Sequence, residues 1–378
     1  MGIKLRKSIC LNHNRIVIKL SSLAVTKESG GVDVVKVKNI ISDIALLKKS
    51  KPIQIIIVSS GAINAGKVLF PHFTKDEMRY QQAGSAAGQP LLMHAFNTEC
   101  SKHNLKSAQV LLTHEDLKSK TRSYNIRMSL ETLLENEIIP IINENDTVSF
   151  DEISLGDNDQ LSAMICQIMN ADLLCMLTKA DGLYDKNPDE ADATHFDIVH
   201  YDKDFSEVKT FSKTATGKGG METKLQAVRK LTPLGMDVII STFDHKQPII
   251  RSVCEEIGTL FKGNPKFLSA DKAWILTRVR PDAYIKIDKG AYEALLKNAS
   301  LLPIGVIAVN GKFSRGDSVT IKFQNKVIAH GISEYSAREV EKIMRLKSSE
   351  LASVLTHVPA KVVIHKNNLL LKEGKFNV

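Results

Sequence analysis

Apolar and polar positions alternate along this chain in two regimes. In the first, short apolar runs read as strands at Ile16 to Leu20, Ile53 to Ser60, Ala108 to Leu112, Ile138 to Ile142, Asp172 to Leu177 and Val238 to Ser241. The run IQIIIVSS is continuous, as in a strand buried on both faces. Helical periodicity fills the gaps: Val34 to Lys49, most of Lys75 to Asn104, Thr113 to near Asn136, Asn158 to about Met169, Met221 to Leu234 and Ile249 to Glu256. Strands alternating with helices over roughly 250 residues predict an α/β fold, a doubly wound, mostly parallel sheet covered on both faces.

From Trp274 the pattern changes to short β-like runs, YIKID, GVIAV, SVTIKF and KVIAHGI, separated by Gly, Asn and Asp. These predict a second, smaller domain of β-barrel character. The chain is thus expected to divide into a first domain over 14–262, a linker over 263–273 and a second domain over 274–365. Within the first, the run Ala83-Gly84-Ser85-Ala86-Ala87-Gly88 allows close helix packing or a bend.

A doubly wound sheet holds ligands at the carboxyl ends of its strands. Four polar tips fall there: Lys19 to Ser22, Ser59 to Gly66, Asn143 to Asp146 and Thr178 to Gly182. The stretch Ile138 to Gln160 supplies two polar clusters, Asn143 to Asp146 after a strand and Asp157, Asn158, Asp159 opening a helix. Capping accounts for one member of the second cluster. The others are placed to orient a lysine, to hold a metal through a nucleotide, or to receive an ammonium group. Lys19, at the end of a buried strand with no local acid, needs an anionic partner. Gly217-Lys218-Gly219-Gly220 leads into a helix and is a candidate phosphate cradle, although the spacing GxxxxGK[ST] is absent. Lys224 falls in the first turn of that helix, where the dipole disfavours a structural cation and a bound phosphate would use one.

Composition adds bounds. Hydrophobic residues at 43% and charged residues at 25% fit a globular protein with a sizeable core. A formal charge of +9 favours anionic partners, whether nucleotide, acidic metabolite or RNA. The five cysteines are scattered and read as reduced thiols, the eleven histidines form no constellation, and no protein metal site is expected. No apolar run approaches the roughly 18 residues of a membrane span, so a cytoplasmic protein without membrane partners is expected.

The motifs VSSGAINAG (58–66), QQAGSAAGQPLLM (81–93), QVLLTHEDL (109–117), PIINENDTVS (140–149), GDNDQLSA (156–163) and GGMETKLQA (219–227) are specific together. The chain resembles the glutamate-phosphorylating branch of the amino acid kinase family from about Ile16 to His365. Its stretch 287–317 is similar to the PUA domain that many members append. The resemblance implies ATP-dependent phosphorylation of the γ-carboxylate of L-glutamate to L-glutamyl 5-phosphate, the first step of proline biosynthesis, with Mg²⁺ carried on the ATP phosphates. It implies that Ser60, Asp146 and Asn158 contact glutamate, with Gly61 and Ala62 giving backbone contacts and Asn143 close by. Lys19 and Lys224 would flank the transferring group and Asp159 would orient them. Ser21, Thr178, Lys179, Gly217, Lys218, Gly219, Gly220 and Met221 would lie at the nucleotide. A homo-oligomer inhibited by proline also follows from the resemblance. The alternative is a catalytically weak regulatory or RNA-binding protein on the same scaffold.

Three positions depart from the family pattern. Ser21 stands where Gly is usual, and a left-handed backbone there would cost a non-glycine residue about 1–2 kcal/mol. Lys179 replaces Asp in the Thr-Asp pair, and Lys218 replaces Thr in GTGGM.

Overall fold

The first strand sorts its side chains by parity. In β1 (Arg15–Leu20), Ile16, Ile18 and Leu20 join one hydrophobic core, and Val17 and Lys19 therefore face the opposite side of the sheet. The computed structural model describes residues 13–70, 72, 74, 77–148, 158–201, 220–255, 257–265 and 279–371.

β1 is followed by β2 (Gln54–Ser59), β3 (Lys106–Leu112), β4 (Ile138–Glu144), β5 (Leu173–Thr178), a hairpin of β6 (Leu183–Tyr184) and β7 (His195–Phe196), then β8 (Ile198–His200), β9 (Asp237–Thr242) and β10 (Thr259–Lys262). The main sheet runs in the order β3-β4-β2-β1-β5-β9-β10-β8. Its first six strands are parallel; β10 pairs antiparallel with β9 and parallel with β8. The reversal of strand order beside β1 opens a crevice at the carboxyl edge. There Leu20 lies opposite Ser59 of β2 and Leu177 of β5.

Helices Val34–Ser50, Met78–Lys102 and Pro248–Cys254 cover the face that Ile16, Ile18 and Leu20 share. Helix Asn158–Met169 lies on the other face, packed on β1 and β5 and flanked by helices Lys120–Glu135 and Met221–Leu231. Asp43 ties two helices together by accepting from the backbone N–H of Ile249 at 2.9 Å. Burial pushes its carboxyl up to about 6, against the lowering effect of the Ile249 and Ile250 amides.

The small-residue run does permit close packing. A Cβ on Gly88 would lie 2.0 Å from the Ala62 carbonyl oxygen, and one on Gly66 would lie 2.0 Å from that of Gly84. Helix Ala62–Gly66 therefore meets helix Met78–Lys102 backbone to backbone.

The structure departs from the sequence reading in several places. The helix expected from Thr113 to Asn136 is two, His114–Lys118 and Lys120–Glu135, because Ser119 is extended (φ −70°, ψ 122°) and caps the second. The edge strand β8 and its neighbour β10, three and four residues long, have no readable alternation. Cys100, Cys166 and Cys175 are buried free thiols, but Cys254 is disulfide-bonded, contrary to the expectation of reduced thiols throughout. Among the described residues, no helix is long and apolar enough to cross a membrane.

The chain divides into compact units Met1–Phe267 and Leu268–Val378. The second contains β11 (Val279–Ile287), β12 (Val306–Asn310), β13 (Ser318–Phe323), β14 (Lys326–Ile332) and β15 (Leu369–Leu371), ordered β12-β11-β13-β14-β15. β11 and β13 are parallel and the other pairs antiparallel. Ile285, Ile321, Val340 and Tyr335 build its core. Helix Ala337–Ile343 opens on a capping box between Ser336 and Glu339.

Candidate active site

Alternation along β1 delivers Lys19 to the face on which helix Asn158–Met169 lies. Lys19 Nζ is 2.6 Å from Asp159 Oδ1. From helix Met221–Leu231, Lys224 Nζ reaches Asp159 Oδ2 at 3.1 Å and Thr223 Oγ1 lies 2.7 Å from the same oxygen. Lys19 and Lys224 are 6% and 4% exposed and Asp159 is fully buried. Burial alone would raise the Asp159 carboxyl, but Lys19, Lys224 and the Thr223 hydroxyl outweigh it and hold the group far below the ordinary carboxylate range. These three charged groups together carry a net charge of +1, which suits an incoming anion. Lys224 also approaches the Gly220 carbonyl at 3.4 Å, which draws the start of its helix into the cluster.

Asn158, one residue earlier, faces other partners. Its Nδ2 donates to Ser60 Oγ at 2.7 Å and Asn143 Oδ1 at 3.1 Å, and lies 3.3 Å from the Ser59 carbonyl. Its Oδ1 is buried and has no hydrogen-bond partner. Gly61 takes φ 106°, and a Cβ there would lie 3.0 Å from Val25 Cγ2, so the turn from β2 into helix Ala62–Gly66 requires glycine. Ala62, the first residue of that helix, is buried. Asp146, just past β4, accepts from Ser85 Oγ at 2.9 Å. A cavity of about 260 Å³ lies between Asp146 and the face of helix Met78–Lys102 that carries Ser85 and Gln89.

The expected nucleotide-side residues are partly brought together. Ser21 N–H donates to the Leu177 carbonyl at 3.1 Å, which sets it beside the end of β5. Its backbone is extended (φ −68°, ψ 162°), so serine replaces the usual glycine without strain. Its Oγ is buried and has no partner. Thr178 ends β5 opposite Thr242 of β9. Lys179 points to solvent: its side chain is 69% exposed and pairs with exposed Glu28 at 3.8 Å. Gly220 caps helix Met221–Leu231 and Met221 begins it. Asp157, Gly217, Lys218 and Gly219 lie outside the described residues.

Thr223, Ser85 and Gln89 were not singled out from the sequence. Each had a signal: Thr223 adjoins Lys224, and Ser85 and Gln89 are polar residues one turn apart on a helix otherwise packed by small residues. Among the described residues, no group of three or more His, Cys, Asp or Glu is placed to hold a metal ion. Both Asp159 oxygens already face cations. The donor set thus fits Mg²⁺ carried on nucleotide phosphates rather than an ion held by protein carboxylates.

Residues 14–241 match the amino acid kinase family, and residues 283–355 match the PUA domain. The chain belongs to the amino acid kinase family, in the branch of the glutamate 5-kinases. The glutamate 5-kinase of Trichlorobacter lovleyi is 38% identical over 373 residues, spanning 97% of this chain and 99% of that protein. That of Dictyoglomus turgidum is 38% identical over 366 residues, with 95% and 98% spanned. That of Maridesulfovibrio salexigens is 39% identical over 365 residues, with 94% and 96% spanned.

Proposed function

We propose that this chain transfers the γ-phosphoryl group of ATP to the γ-carboxylate of L-glutamate, giving L-glutamyl 5-phosphate and ADP at the entry to proline biosynthesis. The observation that carries this reading is the buried Lys19–Asp159–Lys224 cluster, placed one residue from an Asn158 amide held by Ser60 and Asn143. A cation pair gathered by Asp159 and a polar cradle around its neighbour Asn158 match a reaction that joins a phosphoryl donor to a small polar acceptor.

The acceptor is a carboxylate, ionised at neutral pH with an ordinary pKa of about 4.3, so no general base is needed. Asp159, held anionic by two lysines, is a poor base and serves to aim them. One γ-carboxylate oxygen attacks phosphorus, the bond from the γ-phosphorus to the β,γ-bridging oxygen breaks, and ADP leaves with that electron pair. Lys19 and Lys224 oppose the negative charge on the moving oxygens, which is where phosphoryl transfer is accelerated. When bound with ATP, Mg²⁺ would supply further neutralisation of phosphate charge beside Lys19 and Lys224. Ser60, Asp146, Asn158 and the backbone at Gly61 and Ala62 hold glutamate, with Asn143 bracing Asn158. Ser21, Thr178, Gly220 and Met221 border the nucleotide, and Lys179, Gly217, Lys218 and Gly219 belong to the same side by motif.

Catalysis is assigned to 14–262, leaving 274–365 as an appended domain, and soluble substrates support a cytoplasmic location. Family resemblance supports a homo-oligomer inhibited by proline; light scattering and proline titration test both. No observation on the second unit favours the RNA-binding alternative. Hydroxylamine trapping tests the reaction: a hydroxamate should form only with ATP, Mg²⁺ and glutamate together, and none should form with Lys19→Ala.

A further inference from the structure

Helix Met78–Lys102 carries two buried polar side chains, Ser85 and Gln89, 4% and 6% exposed, one turn apart on the same face. Each reaches out of the helix to one residue of the acceptor cradle. Ser85 Oγ donates to Asp146 Oδ2 at 2.9 Å, and Gln89 Oε1 accepts from Asn143 Nδ2 at 2.9 Å.

The backbone fixes which way these amides point. The Glu144 N–H can only donate, so the Asn143 atom it meets at 2.9 Å is Oδ1. Asn143 Nδ2 then faces Gln89 Oε1, and Gln89 Nε2 faces Gln109 Oε1 at 3.4 Å. Asn143 Oδ1 also receives Asn158 Nδ2 at 3.1 Å, and this leaves Asn158 Oδ1 as a buried acceptor with no donor. An unmet buried acceptor costs about 1–3 kcal/mol, a cost that a ligand N–H removes. A cavity of about 260 Å³ on the side of Ser85 and Gln89 is bordered by the acceptors Asp146, Glu144 and Gln109. A carboxylate and an unmet amide oxygen suit an ammonium group.

The geometry points to Ser85 and Gln89 as positioning residues for the amino-acid acceptor. Ser85 sets the Asp146 carboxylate and Gln89 sets Asn143, and through it Asn158, so that the ammonium-bearing end of the acceptor is recognised. This inference rests on the function proposed above.

The test uses the full chain with glutamate and with glutarate, which lacks the ammonium group, in the hydroxamate assay. Ser85→Ala and Gln89→Leu should each raise the KM for glutamate about tenfold and shrink the preference for glutamate over glutarate by a similar factor, with the KM for ATP within about twofold. Gln89→Glu keeps the acceptor for Asn143 Nδ2, and exposed Gln109 is free to turn its amide, so this variant should stay within about threefold of wild type. The inference is overturned if glutamate KM stays unchanged in Ser85→Ala and Gln89→Leu, if ATP KM rises in step, or if Gln89→Glu behaves like Gln89→Leu. Should Gln89→Leu fail to fold, the contrast between Ser85→Ala and Gln89→Glu decides by the same criteria. Calorimetry with glutamate alone separates the two levels of reading. Binding by wild type without hydroxamate formation removes the proposed reaction, and the glutamate Kd of the variants then tests the positioning.

Discussion

Asn158 and Asp159 are adjacent in sequence and serve different partners: Asn158 Nδ2 lies 2.7 Å from Ser60 Oγ, while Asp159 Oδ1 lies 2.6 Å from Lys19 Nζ. Successive helix residues differ by about 100° in direction, so the first turn of one helix addresses two strand ends at once. The Ser60–Asn158 contact and the Lys19–Asp159 contact are thereby fixed relative to each other by a single peptide unit.

Removing the charge at Asp159 should uncouple the lysines. Asp159→Asn leaves two buried ammonium groups without their carboxylate, which should cost about 3–5 kcal/mol of stability. Activity should fall at least about 100-fold because the phosphoryl-facing charges lose their aim. The acid limb of stability carries the same signature. The folded Asp159 carboxyl is depressed, so its contribution is fully present above the unfolded pKa of about 3.9 and is lost as pH falls toward the folded value. Urea titrations from pH 7 to pH 3 should therefore show a shallower loss in Asp159→Asn than in wild type.

Asp43 has the opposite sign. Its carboxyl is raised to about 6, so between the unfolded value and 6 the folded chain binds more protons, and stability falls as pH rises through that window. Asp43→Asn keeps an oxygen for the Ile249 amide without the buried charge. It should flatten the profile between pH 4 and 6 and be about 1–3 kcal/mol more stable than wild type at pH 7. Denaturant midpoints at the two ends of the window check this; a wild-type curve that rises with pH across it contradicts the assignment.

Gly88 tests the helix crossing that carries Ser85 and Gln89. A Cβ at 2.0 Å from the Ala62 carbonyl must push the two helices apart, so Gly88→Ala should lose about 1–3 kcal/mol or more. Gly290, where the nearest atom to a Cβ is 3.6 Å away, is the control, and Gly290→Ala should be neutral or stabilising by up to about 1 kcal/mol. Thermal melts of the two variants should separate clearly.

The departures from the family pattern should be tolerated. Ser21 sits in an extended backbone that any residue adopts, so Ser21→Gly should change kcat by less than about threefold. Lys179 is turned to solvent beside Glu28, and Lys179→Asp should likewise leave the KM for ATP within about threefold, as exposed ion pairs contribute little. A rise of tenfold or more in either variant would mean that these residues restrain the nucleotide site.

Much of this arrangement was legible beforehand because the physical signals were local. A lysine at an apolar strand end and an Asn-Asp pair at a helix start each asked for a partner, and the parallel sheet left one edge on which to find it. What was not legible is long-range. Ser85 and Gln89 gain meaning only when helix Met78–Lys102 is laid against the end of β4, 54 residues from Gln89 to Asn143 along the chain. Ser21 was judged by the glycine it replaces, yet its backbone is extended and its N–H meets the Leu177 carbonyl, a β5 contact no local pattern encodes. β8 and β10 are too short to show a period, and they find their places only by pairing, β10 on β9 and β8 on β10.

The most direct measurement follows oxygen. Glutamate labelled with ¹⁸O in both γ-carboxylate oxygens is incubated with ATP, Mg²⁺ and hydroxylamine, and the released phosphate is analysed by mass spectrometry. Attack of the carboxylate on the γ-phosphorus makes a glutamate oxygen the bridge, and hydroxylamine then breaks the carbon–oxygen bond, so each phosphate formed with hydroxamate should carry one ¹⁸O. Phosphate released without ¹⁸O would contradict the proposed transfer.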